Sequence, residues 1–124
     1  MIKFFQCVRR REDLSPADFV RFWSQYREAV DAVGEATQAV RVTASRTLAV
    51  PQNTQLAMAR GTGSAFDGVI EVWWERGGDV IADLDQPGIA AQIEAMRRLQ
   101  AEFMDLEQSS FFFTSEDVLF ERGE

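Results

Sequence analysis

The apolar positions of this chain fall into two rhythms, one of period two and one of three to four. Ile2, Phe4 and Val8 alternate with Phe5 and Cys7, so residues 2–9 read as a strand covered on both faces. Ser15-Pro16-Ala17-Asp18 reads as a helix start, with Ser as the cap, Pro in the first helical position and Asp in the first turn. Phe19, Phe22, Trp23, Tyr26, Val30 and Val33 then recur at spacings of three and four, the stripe of an amphipathic helix that Gly34 is expected to end. Residues 39–48 read as a second strand, with Val40, Val42, Ala44 and Leu48 on one face and Arg41, Thr43, Ser45 and Thr47 on the other. Pro51 closes it. Residues 51–65 follow as a long connection with room for a helical turn around Gln55 to Ala59.

The third strand, 66–75, is the most informative segment. Phe66, Gly68, Ile70, Val72 and Trp74 make one apolar face, while Asp67, Val69, Glu71, Trp73 and Glu75 make a mixed one. Gly77-Gly78 break the strand, and Asp79 is a cap for a short helix to Leu84. Asp85 and Pro87 open a second long helix to about Leu106, with Ile89, Ile93, Met96 and Phe103 inward. Residues 109–120, including Phe111-Phe112-Phe113 and Val118-Leu119-Phe120, read as a last strand or a broken pair.

This order, β-α-β-β-α-β, is the ferredoxin-like α+β arrangement, a four-stranded antiparallel sheet with both helices on one face. The large apolar groups on the other face would be wet in a monomer, and patches of that size mark interfaces. A second copy packed sheet to sheet is the simplest cover. That makes a homodimer, an α+β barrel lined by the mixed face. The whole chain, 1–124, is read as one domain.

Composition narrows the chemistry. The formal charge is −7, from 20 acidic and 13 basic side chains, which argues against nucleic acid and anionic membrane as partners. The sequence shows neither a secretory leader pattern nor an apolar run of transmembrane length. With one Cys, this suits a cytoplasmic setting. There is no His, so the usual proton shuttle and the commonest metal ligand are missing. No metal and no cofactor are expected.

Asp67 and Glu71 lie four residues apart on one strand and are expected to point into the barrel, where an apolar setting raises a carboxyl pKa toward neutrality. Either then serves as acid or base. The alternative is structural: Asp67 ends a turn and Glu71 pairs with Arg41 on the neighbouring strand. Tyr26 and Arg27 are candidates to grip a phenol, carbonyl or carboxylate at a cavity mouth, or else they finish the helix stripe and meet solvent. Trp23, Trp73 and Phe113 are candidate walls for a planar ligand, with simple core packing as the other reading. Arg9-Arg10-Arg11 reads either as an anion patch or as a solvated loop.

Three motifs carry a family resemblance. Ile2-Lys3 with Arg9-Arg10-Arg11-x-x-Leu14-Ser15-x-x-x-Phe19-x-x-Phe22-Trp23, then Phe66-Asp67-Gly68-Val69-x-Glu71-x-Trp73, then Ser110-Phe111-Phe112-x-Thr114-x-Glu116, together resemble the EthD-like family of dimeric α+β barrels. The resemblance implies the same fold and a relation to polyketide cyclases, lactone isomerases, dehydratases and cofactor-free monooxygenases. Where that family carries histidines, this chain has Arg27 and Asp117. Two functions are therefore expected. One is a cofactor-independent enzyme acting by proton transfer on an aromatic or polyketide-like carbonyl compound. In it Asp67 or Glu71 is the acid or base, Arg41 the charge partner, and Trp23 and Trp73 the walls. The other is a non-catalytic dimer that binds a hydrophobic small molecule.

Overall fold

The computed structural model describes residues 1–78 and 84–123. Its elements run β1 (Ile2–Val8), α1 (Pro16–Ala36), β2 (Arg41–Arg46), α2 (Pro51–Arg60), β3 (Gly68–Trp74), α3 (Pro87–Phe103) and β4 (Ser110–Ser115). The strands form one antiparallel sheet in the order β2-β3-β1-β4. Of the short helix expected from Asp79 to Leu84, residues 79–83 lie outside the described residues. Among the described residues no helix is long and apolar enough to cross a membrane.

Register assigns every strand side chain to a face. Phe4 opposes Val72 and Phe113, and Gln6 opposes Ile70 and Phe111; Val42 opposes Val72. This set faces α1 and α3, where Val8, Trp23, Tyr26, Val30, Ile70, Trp74, Met96 and Phe103 form the buried core. Phe103 is its hub, with ring centroids 5.8 Å from Phe19, 5.8 Å from Phe22 and 5.3 Å from Tyr26. Helix α1 starts as expected: the Ser15 hydroxyl accepts from the Asp18 N–H at 3.1 Å.

Gly34 does not end α1. The helix runs through it to Ala36, and a Cβ at position 34 would lie 2.5 Å from Val42 Cγ2. Its missing side chain lets helix and sheet approach, and termination passes to Thr37, whose N–H and hydroxyl both reach the Val33 carbonyl at 3.0 and 2.8 Å. Gly68 plays the same part in the sheet: a Cβ there would sit 2.5 Å from Trp23 Cη2.

Two segments differ from their sequence reading. The 51–65 connection is mainly helix α2, ended by Gly61 in the left-handed region (φ 67°). None of its residues is buried, so it has no full apolar stripe to announce it. At the C-terminus only Ser110–Ser115 is strand, and residues 116–123 carry no regular structure. The Glu116 N–H donates to the Met1 carbonyl at 3.1 Å, after which the chain leaves the sheet.

The arginine run is a set of latches. Arg9 donates to Ser64 Oγ at 3.2 Å and to the Ser64 carbonyl at 3.1 Å, with its guanidinium 4.6 Å from the Phe66 ring centroid. Arg10 donates to the Leu14 carbonyl. Arg11 pairs with Asp13 at 2.6 Å and reaches the Glu102 carbonyl at 3.4 Å, where it meets the negative end of α3.

Candidate functional site

The sheet has two chemically different faces, and the residues expected to form one site are divided between them. The face away from the helices is built from three cross-strand rows. Arg41, Trp73, Lys3 and Thr114 form the first; Thr43, Glu71, Phe5 and Phe112 the second; Ser45, Val69, Cys7 and Ser110 the third. Trp73 lies between two cations, with Lys3 Nζ 3.9 Å and Arg41 Cζ 4.5 Å from its ring centroid. Its indole N–H is buried and has no hydrogen-bond partner among the described residues. Phe5 and Phe112 stack with centroids 5.6 Å apart.

Glu71 stands on this face, and its ionic partner is Lys3 at 3.6 Å. Thr43 Oγ1 donates to its other oxygen at 3.4 Å. Arg41 is not the charge partner: the register sets Thr43 opposite Glu71 and Arg41 opposite Trp73. Lys3 is held more closely by Glu116, at 2.9 Å, and that hydrogen bond is the main reason the ammonium titrates above its ordinary value. Burial, reinforced by the Glu71 charge, pushes the Cys7 thiol up. Cys7 is therefore expected to alkylate more slowly at pH 8 than free cysteine, since less of it is thiolate. Iodoacetamide kinetics at the rate of the free amino acid would contradict this environment.

Asp67 does not join Glu71. It precedes β3, and its Oδ2 accepts from the Arg10 N–H at 2.7 Å while its own N–H donates to the Val8 carbonyl at 2.8 Å. Its carboxylate holds the β1 exit loop, the turn role open to it from sequence. Trp23 lies on the helix side, 4% exposed, with its ring against Gly68; it is core and not a ligand wall. Arg27 is exposed on α1 beside Ser24 and Asp31, in a shallow surface depression.

The helix face of the sheet holds a cavity of about 300 Å³ between sheet, α1 and α3. Phe4, Val72, Trp74, Met96, Phe111 and Phe113 supply most of its apolar wall, and Gln6, Thr37 and Gln100 its uncharged polar groups. Of the expected ligand walls, Phe113 is the one placed here, its ring 4.8 Å from Phe4 and 6.4 Å from Trp74. Trp74 is fixed by its indole N–H, which donates to the Thr37 carbonyl at 3.1 Å.

Tyr26 is not at a mouth: it lies fully buried in the core and reaches the cavity only through two of its lining residues, Gln6 and Gln100. Gln100 Nε2 donates to its hydroxyl at 2.7 Å, and the hydroxyl donates to Gln6 Oε1. Burial pushes the phenol well above its ordinary value, against the pull of Gln100 and Gln6, so it stays a neutral donor. The row ends at the Gln6 amide nitrogen, which donates to no other described residue. Gln6 and Gln100 were not among the expected site residues. The signal was present in Phe4-x-Gln6-x-Val8, where an amide interrupts an apolar alternation. Arg97 is the one charged lining residue, at the rim, with an exposed side chain 4.0 Å from Glu94.

No family model matches the sequence, and no curated protein matches it significantly. Solved structures do. A dimeric ferredoxin-like protein of unknown function from Bacteroides fragilis superposes with a TM-score of 0.63 at 12% identity, covering 93% of this chain and 95% of its own. An ethyl tert-butyl ether degradation (EthD) family protein from Bacillus halodurans gives 0.62 at 10% identity, with coverages of 94% and 99%. SnoaB, a cofactor-independent oxygenase from Streptomyces nogalater, gives 0.54 at 16% identity, with 97% of each chain covered.

The chain has the ferredoxin-like α+β fold. The expected ferredoxin-like arrangement thus stands, and an EthD family protein is among its structural neighbours. In this ferredoxin-like chain the sheet separates two environments. One side carries the cavity and its neutral polar row. The other carries an aromatic surface whose charges are largely paired within the chain.

Proposed function

We propose that this protein processes small molecules without a cofactor, taking a planar aromatic or polyketide-like carbonyl compound into the sheet–helix cavity and assisting proton transfer on it. The observation that carries the reading is the Gln100–Tyr26–Gln6 row beside an otherwise apolar space. A carbonyl oxygen placed against the Gln6 amide would accept its N–H. The neighbouring C–H then loses its proton to water at the Arg97 rim while the electron pair moves onto oxygen. Reprotonation at another carbon gives an isomer, and loss of a β-hydroxyl as water gives a dehydrated product. Fixed neutral donors in a low-dielectric cavity stabilise the charge that develops on oxygen. The activity of SnoaB as a cofactor-independent oxygenase supports this class of chemistry at the level of fold. In this reading Glu71, Asp67, Arg41 and Trp73 are structural.

A second copy covers the open sheet face in the same reading. Phe5, Phe112 and Val69 offer it apolar surface, and Lys3 is already paired with Glu71 and Glu116, which lowers the cost of excluding water. The Bacteroides fragilis neighbour is described as dimeric.

One observation favours a non-catalytic carrier as the second reading: the described cavity lining contains no carboxylate to act as base. Two measurements on one panel of planar phenols and ketones separate the readings. Calorimetry reads binding, and proton NMR in deuterated water reads exchange of the α-hydrogen. The enzyme reading expects binding with accelerated exchange, and in Gln6→Leu a loss of exchange rate on the order of 10²–10³, with the fold checked by near-UV dichroism. Binding without exchange establishes the carrier. A panel that does not bind overturns both.

A further inference from the structure

The C-terminal segment after β4 exposes three consecutive apolar side chains, Val118 at 64%, Leu119 at 95% and Phe120 at 73%. Acidic residues flank them: Glu116 and Asp117 before, Glu121 after. The Phe120 ring meets Arg122 of the same segment, 5.1 Å from its centroid. Exposed apolar runs of this kind mark contact surfaces. The far end of the sheet carries a groove of about 540 Å³ with the complementary character, between the start of α1 and the β2–α2 connection. Val20 and Leu48, 40% and 71% exposed, give it an apolar floor together with Phe66. Arg46 borders it and has no acidic partner among the described residues, while the groove's carboxylate, Asp67, is engaged by the Arg10 N–H at 2.7 Å.

The segment cannot reach the groove of its own chain. It departs beside Met1, whereas the groove lies beyond Val8, where Asp67 N–H meets the Val8 carbonyl. The seven residues of β1 separate these ends by about 20 Å at ~3.3 Å per residue. From Glu116 to Leu119 the chain spans ~10 Å at full extension. The occupant must come from another molecule, and a second copy carries a segment of fitting charge and apolarity.

We propose that the Val118–Phe120 segment of one copy docks in the α1/β2–α2 groove of a second, with Asp117 or Glu121 meeting Arg46. The proposal rests on the second-copy reading above, and its test separates the two. In a Cys7→Ser background, protein carrying Leu119→Cys is mixed with protein carrying Leu48→Cys and oxidised mildly. A disulfide-linked species of twice the 14.0 kDa chain mass is expected from the mixture and not from either variant alone. A disulfide within one chain carrying both substitutions, or no mixed product while sedimentation still shows a dimer, overturns the docking and leaves the dimer standing. A monomer in sedimentation overturns both. Independently, Arg46→Glu is expected to weaken dimerisation roughly tenfold, because a symmetric dimer contains the contact twice. Combining it with Asp117→Lys and Glu121→Lys should restore the affinity; failure to restore it counts against the pairing.

Discussion

Trp23→Ala is expected to lower the unfolding free energy by about 3–5 kcal/mol, the range for deleting a large buried aromatic. The indole is 4% exposed, and its ring lies 5.6 Å from Phe19 on one side and against Gly68 on the other. The sheet backbone at Gly68 forms one wall of the space and cannot close it. Urea denaturation at fixed protein concentration measures the loss, and one below about 1 kcal/mol would show that the ring is not core. Gly68→Ala tests the same contact from the other side. Its Cβ would meet the indole at 2.5 Å, an overpacking expected to cost about 1–3 kcal/mol. The two changes should not add, because in the double variant the new methyl enters the space the indole left.

The second large effect is on association. Phe112→Asp is expected to weaken the proposed sheet-to-sheet dimer by roughly 100-fold or more, because its interface would gain two desolvated carboxylates. Phe112 is 44% exposed and stacks on Phe5, in the same cross-strand row as Glu71. The new charge would thus share with Glu71 and Glu116 the face that the proposed dimer covers. Sedimentation equilibrium of wild type and variant decides it. An unchanged dimer would place the interface on some other surface.

Much of the fold was legible because the residues that build it carry unambiguous rhythms. The stripe from Phe19 to Val30 and the Ser15 cap specified α1, and the alternation from Gly68 to Trp74 specified β3 and its buried face. What failed did so for identifiable reasons. A glycine marks a missing Cβ, and the sequence cannot say whether chain reversal or close approach requires it; at Gly34 it was approach to Val42. Helix α2 buries none of its residues, so its pattern looked like a loop. The partner of Glu71 depended on a register that no short hairpin fixes, since α2 lies between β2 and β3. The expected site joined residues by type: two carboxylates, two tryptophans, a tyrosine and arginines. Strand parity, with the place of the helices, put Trp73 and Glu71 on one face and Trp23 and Phe113 on the other. Two of the polar groups that do border the cavity, Gln6 and Gln100, are glutamines, which acid–base reasoning passes over.

Ligand is expected to bind between sheet and helices and not between two facing sheets. A crystal structure with a bound planar phenol or ketone from the panel decides between the two places. The ligand is expected among Phe4, Trp74 and Phe113 with its oxygen within hydrogen-bond reach of the Gln6 amide. Density for the ligand on the open face, beside Trp73 and Glu71, would rule out the sheet–helix cavity as the binding site.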